Sequence, residues 1–152
     1  EGELAVVVKR TMRRTPPKDV LANLLGYTCV NDVTARDIQV IGGNLLHLCH
    51  SKSFDTFCPT GPWVETELDA SAIDIELSIN GEVRQKKTNT SDMIFPVAEM
   101  VSYFSHVMTL LPGDLILTGA PPGVGGMKVG DKVELTIQGI GTLRHTVAAA
   151  KP

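Results

Sequence analysis

Glu1 and Glu3 stand one residue apart at the head of the apolar run Leu4-Ala5-Val6-Val7-Val8. Successive side chains of a strand point to opposite faces, so this spacing sets two carboxylates on one face. Like charges so placed repel unless water screens them or a cation sits between them. The pair therefore reads either as a solvated strand end or as half of a cation site. Asp32 bears on that choice, because it follows the apolar stretch YTCV and would offer one more hard oxygen at a strand end. Together Glu1, Glu3 and Asp32 make an all-oxygen set of the kind Mg2+ accepts, with positions left for water and substrate. Zinc is disfavoured, because the cluster of His and Cys that it requires is missing.

Cationic and amide groups accompany the acids. Arg36 and Gln39, in NDVTARDIQ (residues 31–39), are three apart and would share a face of a helical turn. A guanidinium there suits a substrate carboxylate, gripped through two hydrogen bonds. The same segment also reads as an Asn/Asp helix cap with a surface ion pair. Lys52 opens KSFDTFCPTGPW (52–63), among Phe54, Phe57 and Trp63. It either snorkels to water or is held as a fixed positive charge. His47 and His50 lie just upstream, in a loop that could fold over the site, and read either as loop histidines or as a general base. The glycine-rich GAPPGVGG (119–126) lacks the Gly-Lys-Ser/Thr of a phosphate loop, and Lys128 stands where GxGxxG needs its last glycine. Those glycines instead let the backbone turn tightly or approach a neighbour closely.

The elements that must position these groups are mostly strands. Residues 3–8 read as a fully buried strand, and KRTMRRTPPK (9–18) as a basic, solvated connection. DVLANLLG (19–26) predicts a short helix with Leu21, Leu24 and Leu25 on one face and Gly26 as its C-cap, followed by strand character in YTCVNDV. Residues 38–63 have no clean period and read as a long ordered loop. Alternation from Ile73 to Ile79, with Asn80-Gly81 after it, predicts a hairpin closed by a type I′ turn. An amphipathic helix of about thirteen residues follows from Pro96, with Val97, Met100, Val101, Phe104, Val107 and Met108 on its apolar face. LILTG, KVELTIQ and TLRHTVA complete the strands. The expected class is mainly β with a few helices (α+β), a roll or sandwich rather than a βαβ sheet.

At 152 residues the chain is expected to form one domain, with 43% hydrophobic and 20% charged residues. A net charge of −3 gives no reason to expect nucleic acid or an anionic membrane as partner. Cys29, Cys49 and Cys58 are odd in number and form no CxxC pair, which argues against a disulfide framework and for a reducing compartment. The three read as buried or idle thiols, with a reactive thiol as the alternative. The chain opens in mid-pattern, and the expectation is a fragment that lacks an upstream N-terminal segment.

Over nearly its whole length the chain resembles the fumarylacetoacetate hydrolase (FAH) superfamily, in its acylpyruvase-like branch. The likeness is carried by EGELAVVV, GYTCVNDVTARDIQ, KSFDTFCPTGP, INGEVRQ, LLPGDLILTGAPPGVG and VGDKVELTIQGIGTL, in the family's order. It implies a single catalytic domain over 1–152 with a mixed β-sandwich roll, usually dimeric. It also implies Mg2+ (or Mn2+ or Ca2+) held by Glu1, Glu3 and Asp32. Arg36, Gln39 and Lys52 match the family's catalytic and substrate-side residues. The implied reaction is hydrolysis of a C–C bond in a 2,4-dioxo acid such as an acylpyruvate or fumarylpyruvate, through an enolate whose charge the metal neutralises. Oxaloacetate decarboxylation, keto–enol tautomerisation and isomerisation of 2-hydroxyhepta-2,4-diene-1,7-dioate use the same enolate and stay open. A non-catalytic fragment that binds metal or carboxylate is the alternative of another class. The implied partners are a small 2-oxo acid and a second copy of the chain, with no nucleic acid or membrane, in the cytoplasm or, where a transit peptide has been removed, the mitochondrion. Two departures stand out. Ala120 replaces a substrate-side threonine found in many relatives, and the upstream segment that commonly supplies the water-activating His and Glu is absent from this sequence.

Overall fold

The computed structural model describes residues 1–40 and 47–150. In chain order its elements are β1 (Gly2–Val8), α1 (Pro17–Val20), β2 (Leu24–Asn31), α2 (Arg36–Gln39), β3 (Thr60–Glu65), β4 (Asp74–Ile79), β5 (Glu82–Asn89), α3 (Val97–Val107), β6 (Leu115–Leu117), β7 (Lys132–Ile137) and β8 (Gly141–Thr146). Among the described residues the strands form two four-stranded sheets, β3-β2-β1-β6 and β5-β4-β7-β8, with every pairing antiparallel. The chain is mainly β, as expected. No helix of the described residues is long and apolar enough to cross a membrane.

β1 runs through the middle of its sheet and is buried along its whole length. Leu4, Val6 and Val8 face the second sheet and join Leu77, Leu135 and Ile137 in the core. By alternation Glu3, Ala5 and Val7 face the other way, and they too are buried. In β4 the expected alternation holds, with Ile75, Leu77 and Ile79 buried between half-exposed neighbours. Asn80 and Gly81 both take positive φ (54° and 81°), as a type I′ turn requires.

Several expectations need correction. The predicted helix over 19–26 shrinks to α1 and a single 3-10 turn at Leu21–Asn23, and Leu24 already opens β2 opposite Val8. Leu21 and Leu25 are 57% and 41% exposed, so they share no buried face with Leu24. Pairing with β1 outweighs the local helical spacing. Gly26 is a strand residue, and a Cβ there would fall 2.1 Å from the Glu65 carbonyl oxygen.

The basic connection is not wholly solvated either, because Met12 is buried and bridges Leu110. The long loop contains two helical turns, α2 and His50–Lys52, and the strand β3; its residues 41–46 lie outside the described residues. Among the described residues β3 pairs only with β2, and an edge strand tolerates Pro62. In α3, Val101 is buried and Val97 and Phe104 pack on the core, but Val107 and Met108 at its end are exposed.

Candidate functional site

Antiparallel pairing brings the three acids together. Gly2 lies opposite Asn31, so Asp32 falls beside Glu1, and the Asp32 N–H donates to the Glu1 carbonyl at 2.9 Å. One carboxylate oxygen from each of Glu1, Glu3 and Asp32 lies within 4.8 Å of the other two. Glu3 is only 4% exposed, and its Oε2 accepts the Gly119 N–H at 2.6 Å. Gly119 reaches it because β6 pairs with β1 and the chain continues alongside, with the Thr118 N–H on the Leu4 carbonyl. Burial pushes the Glu3 carboxyl up to about 7 against that N–H, and the charges of Asp32 and Glu1 add to the rise.

Two side-chain cations sit on the cluster. Lys52, at the end of the His50–Lys52 turn, donates to Glu1 Oε2 at 3.1 Å, to Thr34 Oγ1 at 3.0 Å and to Asp32 Oδ2. Arg36 pairs through Nη2 with Glu1 Oε1, and its Nη1 donates to Gln39 Oε1 at 3.3 Å. Burial works to raise the Glu1 carboxyl, but Lys52 and Arg36 outweigh it and hold the group below its ordinary value. Burial likewise works against the Lys52 charge, and its bonds to Asp32 and Glu1 prevail and raise it. Lys52 is therefore a fixed charge rather than a snorkelling one. Its ammonium stands between Glu1 and Asp32, and three hard oxygens without nitrogen or sulfur are a donor set that would fit Mg2+, Mn2+ or Ca2+.

Three further candidates are Ala120, His47 and His50. Ala120 lines an apolar cavity of about 400 Å3 together with Leu4 and Met93. Gly119, whose N–H bonds Glu3, also lines that cavity, so Ala120 stands one residue along the chain from a partner of the acidic cluster. The His47 and His50 rings stand 6.1 Å apart, and His50 packs near Phe54 at 5.5 Å between centroids. Among the described residues neither histidine bonds to the three acids.

For three residues of the site the sequence alone assigns no role of their own, although Asn31 and Thr34 stand in the polar segment NDVTARDIQ. Thr34 accepts from Lys52 and lies 3.2 Å from the Asp32 carbonyl, to which it donates. Asn31, fully buried, accepts from the Glu1 nitrogen through Oδ1 and donates from Nδ2 to His145 Nε2, each at 2.9 Å. Burial holds His145 below its ordinary pKa, which agrees with a neutral ring accepting through Nε2. Gln85 reaches the backbone of Gly2 from the second sheet. NDVT and INGEVRQ contain these residues, but only the fold shows what each one meets.

Sequence comparison matches residues 1–148 to the family model described as fumarylacetoacetate (FAA) hydrolase, C-terminal. The chain belongs to the fumarylacetoacetate hydrolase family. Within it, the chain is 42% identical to a 2,4-didehydro-3-deoxy-L-rhamnonate hydrolase of a Sphingomonas species, a match covering 97% of this chain and 55% of the relative. It is 40% identical to an oxaloacetate tautomerase of Bacillus subtilis, covering 97% and 51%. Among solved structures, a 5-carboxymethyl-2-hydroxymuconate delta-isomerase from Mycobacterium smegmatis superposes with a TM-score of 0.92 at 45% identity, covering 100% of this chain and 59% of that one. The FAH-type sandwich is thus shared, and hydrolase, tautomerase and isomerase names all occur among its relatives. The chain spans about half to two-thirds of the length of the curated relatives it matches.

Proposed function

We propose that this chain carries the site of a divalent-cation-dependent FAH-type enzyme acting on a small 2-oxo acid, by hydrolysis of the C–C bond of a 2,4-dioxo acid. The observation that carries this reading is the meeting of Glu1, Glu3 and Asp32 within 4.8 Å, with Arg36 and Lys52 on their rim. Mg2+ held by those three carboxylates would supply a concentrated positive charge against the negative charge that develops on the substrate oxygens.

The side chains around it have separate tasks. Arg36 presents a planar guanidinium to the substrate carboxylate, and its bond to Gln39 fixes the plane of that fork. Lys52 places a second positive charge beside the same oxygens and is itself held by Thr34. Glu3 is buried, whereas Arg36 and Lys52 stay partly open to water at the rim of the site.

A second reading keeps the site and changes the outcome. Tautomerisation or isomerisation only moves a proton between carbon and oxygen and needs no base to activate water. Neither His47 nor His50 bonds to the acidic cluster among the described residues, and relatives named tautomerase and isomerase support this reading.

Assays of acetylpyruvate, fumarylpyruvate and oxaloacetate, side by side with Mg2+ and with chelator, test both. Pyruvate released from a dioxo acid supports the hydrolase. Enol–keto exchange of oxaloacetate without cleavage supports the tautomerase. Oxalate binding that Asp32→Asn abolishes, with no 2-oxo acid turned over, would leave a binding module only.

A further inference from the structure

We propose that Gln85 is the positioning residue of the acidic pair, its carboxamide gripping both backbone polar groups of Gly2, the residue between Glu1 and Glu3. This inference rests on the cation reading above.

Gln85 is 1% exposed and is the single buried residue of β5, whose other members are exposed or half-exposed. A buried carboxamide is unfavourable unless its donors and acceptor are matched. Here all are. Oε1 accepts the Gly2 N–H at 2.7 Å, and Nε2 donates to the Gly2 carbonyl at 3.0 Å and to the Pro121 carbonyl at 3.3 Å. Exchange of both N–H and C=O with one residue is how an antiparallel strand partner bonds. The amide therefore does for Gly2 what β6, which pairs with β1 only over Ala5–Val7, does further along.

Its third bond matters equally. Pro121 lies two residues beyond Gly119, the donor to Glu3 Oε2, so one side chain ties down both segments that hold Glu3. Gly2 completes the fit from the other side. A Cβ there would stand 2.7 Å from Leu77 Cδ1, 2.9 Å from Leu135 Cδ1 and 3.1 Å from Gln85 Oε1. The strand between the two acids thus rests directly on the opposing sheet.

The register of the hairpin explains why a polar residue points inward. From Ile75↔Thr88 to Leu77↔Gln85 the β4 strand advances two residues and β5 three; from there to Ser78↔Val83 it advances one and β5 two. An extra β5 residue on each side leaves Gln85 opposite Leu77, on the core face.

Cation chemistry supplies a readout that a purely structural role would not move. Mg2+ demands near-ideal octahedral geometry, whereas Ca2+ accepts longer and more irregular coordination. Loosening the clamp should therefore penalise Mg2+ more than Ca2+. Calorimetric titration of the full chain with each ion, beside thermal melting, compares wild type, Asp32→Asn, Gln85→Met and Gln85→Glu. Wild type binds both ions and Asp32→Asn neither. In the folded Gln85 variants the Mg2+ Kd rises about tenfold or more, and the Ca2+ Kd by about threefold or less. Failure of wild type to bind either ion overturns the cation reading. Binding by wild type with an unchanged Mg2+/Ca2+ ratio in the variants overturns the role of Gln85 alone. Two variants that both fail to fold would assign Gln85 to general stability and overturn it as well.

Discussion

The Lys52 ammonium lies 3.1 Å from Glu1 Oε2, so the acidic cluster of this FAH-family chain is met by a cation of its own. The same nitrogen bonds to Asp32 and Thr34, and Arg36 covers the other oxygen of Glu1. These side chains counter the mutual repulsion of the acids when no metal is supplied. They also compete with any metal that is.

Lys52→Met removes the competitor and leaves the acids less compensated. Lys52 is 27% exposed, between the surface and buried cases, so the loss of stability without added cation is about 1–3 kcal/mol. Mg2+ should then raise the melting temperature more in the variant than in wild type, although turnover falls. Equal melting curves for the two proteins without cation would show that these ion pairs contribute nothing net.

Arg36→Lys keeps the charge and loses the fork. The guanidinium bonds at once to Glu1 and Gln39, and an ammonium has no matching plane to offer a carboxylate. The KM for a 2-oxo acid is expected to rise about tenfold with a smaller change in kcat, as steady-state kinetics would show. A fall confined to kcat would place Arg36 in the chemical step rather than in substrate holding.

Cys29 gives the chain an alkaline limit. Burial pushes its thiol from an ordinary 9.0 to about 11, against backbone hydrogen bonds from Leu143 and Ile137. A folded pKa above the unfolded one means that the native state holds the proton more tightly. The contribution is whole below pH 9 and is lost as pH rises through 11. It amounts to about 2–3 kcal/mol. Denaturant titrations at pH 8, 9.5 and 11 should show a steeper alkaline loss for wild type than for Cys29→Ala. Parallel curves would assign the loss to other groups.

Gly123 answers what the glycine-rich loop is for. It takes φ of +109°, and a Cβ there would fall 2.1 Å from the Arg84 carbonyl oxygen. The backbone of the loop thus passes directly against β5 beside Gln85. Gly123→Ala should cost about 2–4 kcal/mol through strain and overlap, measured by denaturant unfolding. Gly125→Ala, where a Cβ meets nothing within 4 Å, serves as the control.

What could be read from the chain follows how local each signal is. The β4–β5 hairpin is legible because alternation and Asn80-Gly81 act within a few residues. The acidic cluster is legible in part, since the Glu1/Glu3 spacing and the strand before Asp32 both point to it. Leu24 is not legible, because its place in β2 depends on Val8, sixteen positions away, while its neighbours suggest a helix. β3 hides behind Gly61 and Pro62, which an edge strand accepts. Gln85 is the least legible, because its direction depends on counting residues across two paired strands.

The uneven register of β5 also bears on how the chain avoids its own copies. An outer strand with a regular row of free amides and carbonyls invites a second molecule to add to the sheet. β5 carries two surplus residues, and Lys86 and Lys87 project from it into solvent, so an incoming strand would find neither a straight template nor a neutral one. The kinks that aim one glutamine inward thereby blunt a sticky border, and repairing them to an even ladder should make the protein prone to filament formation.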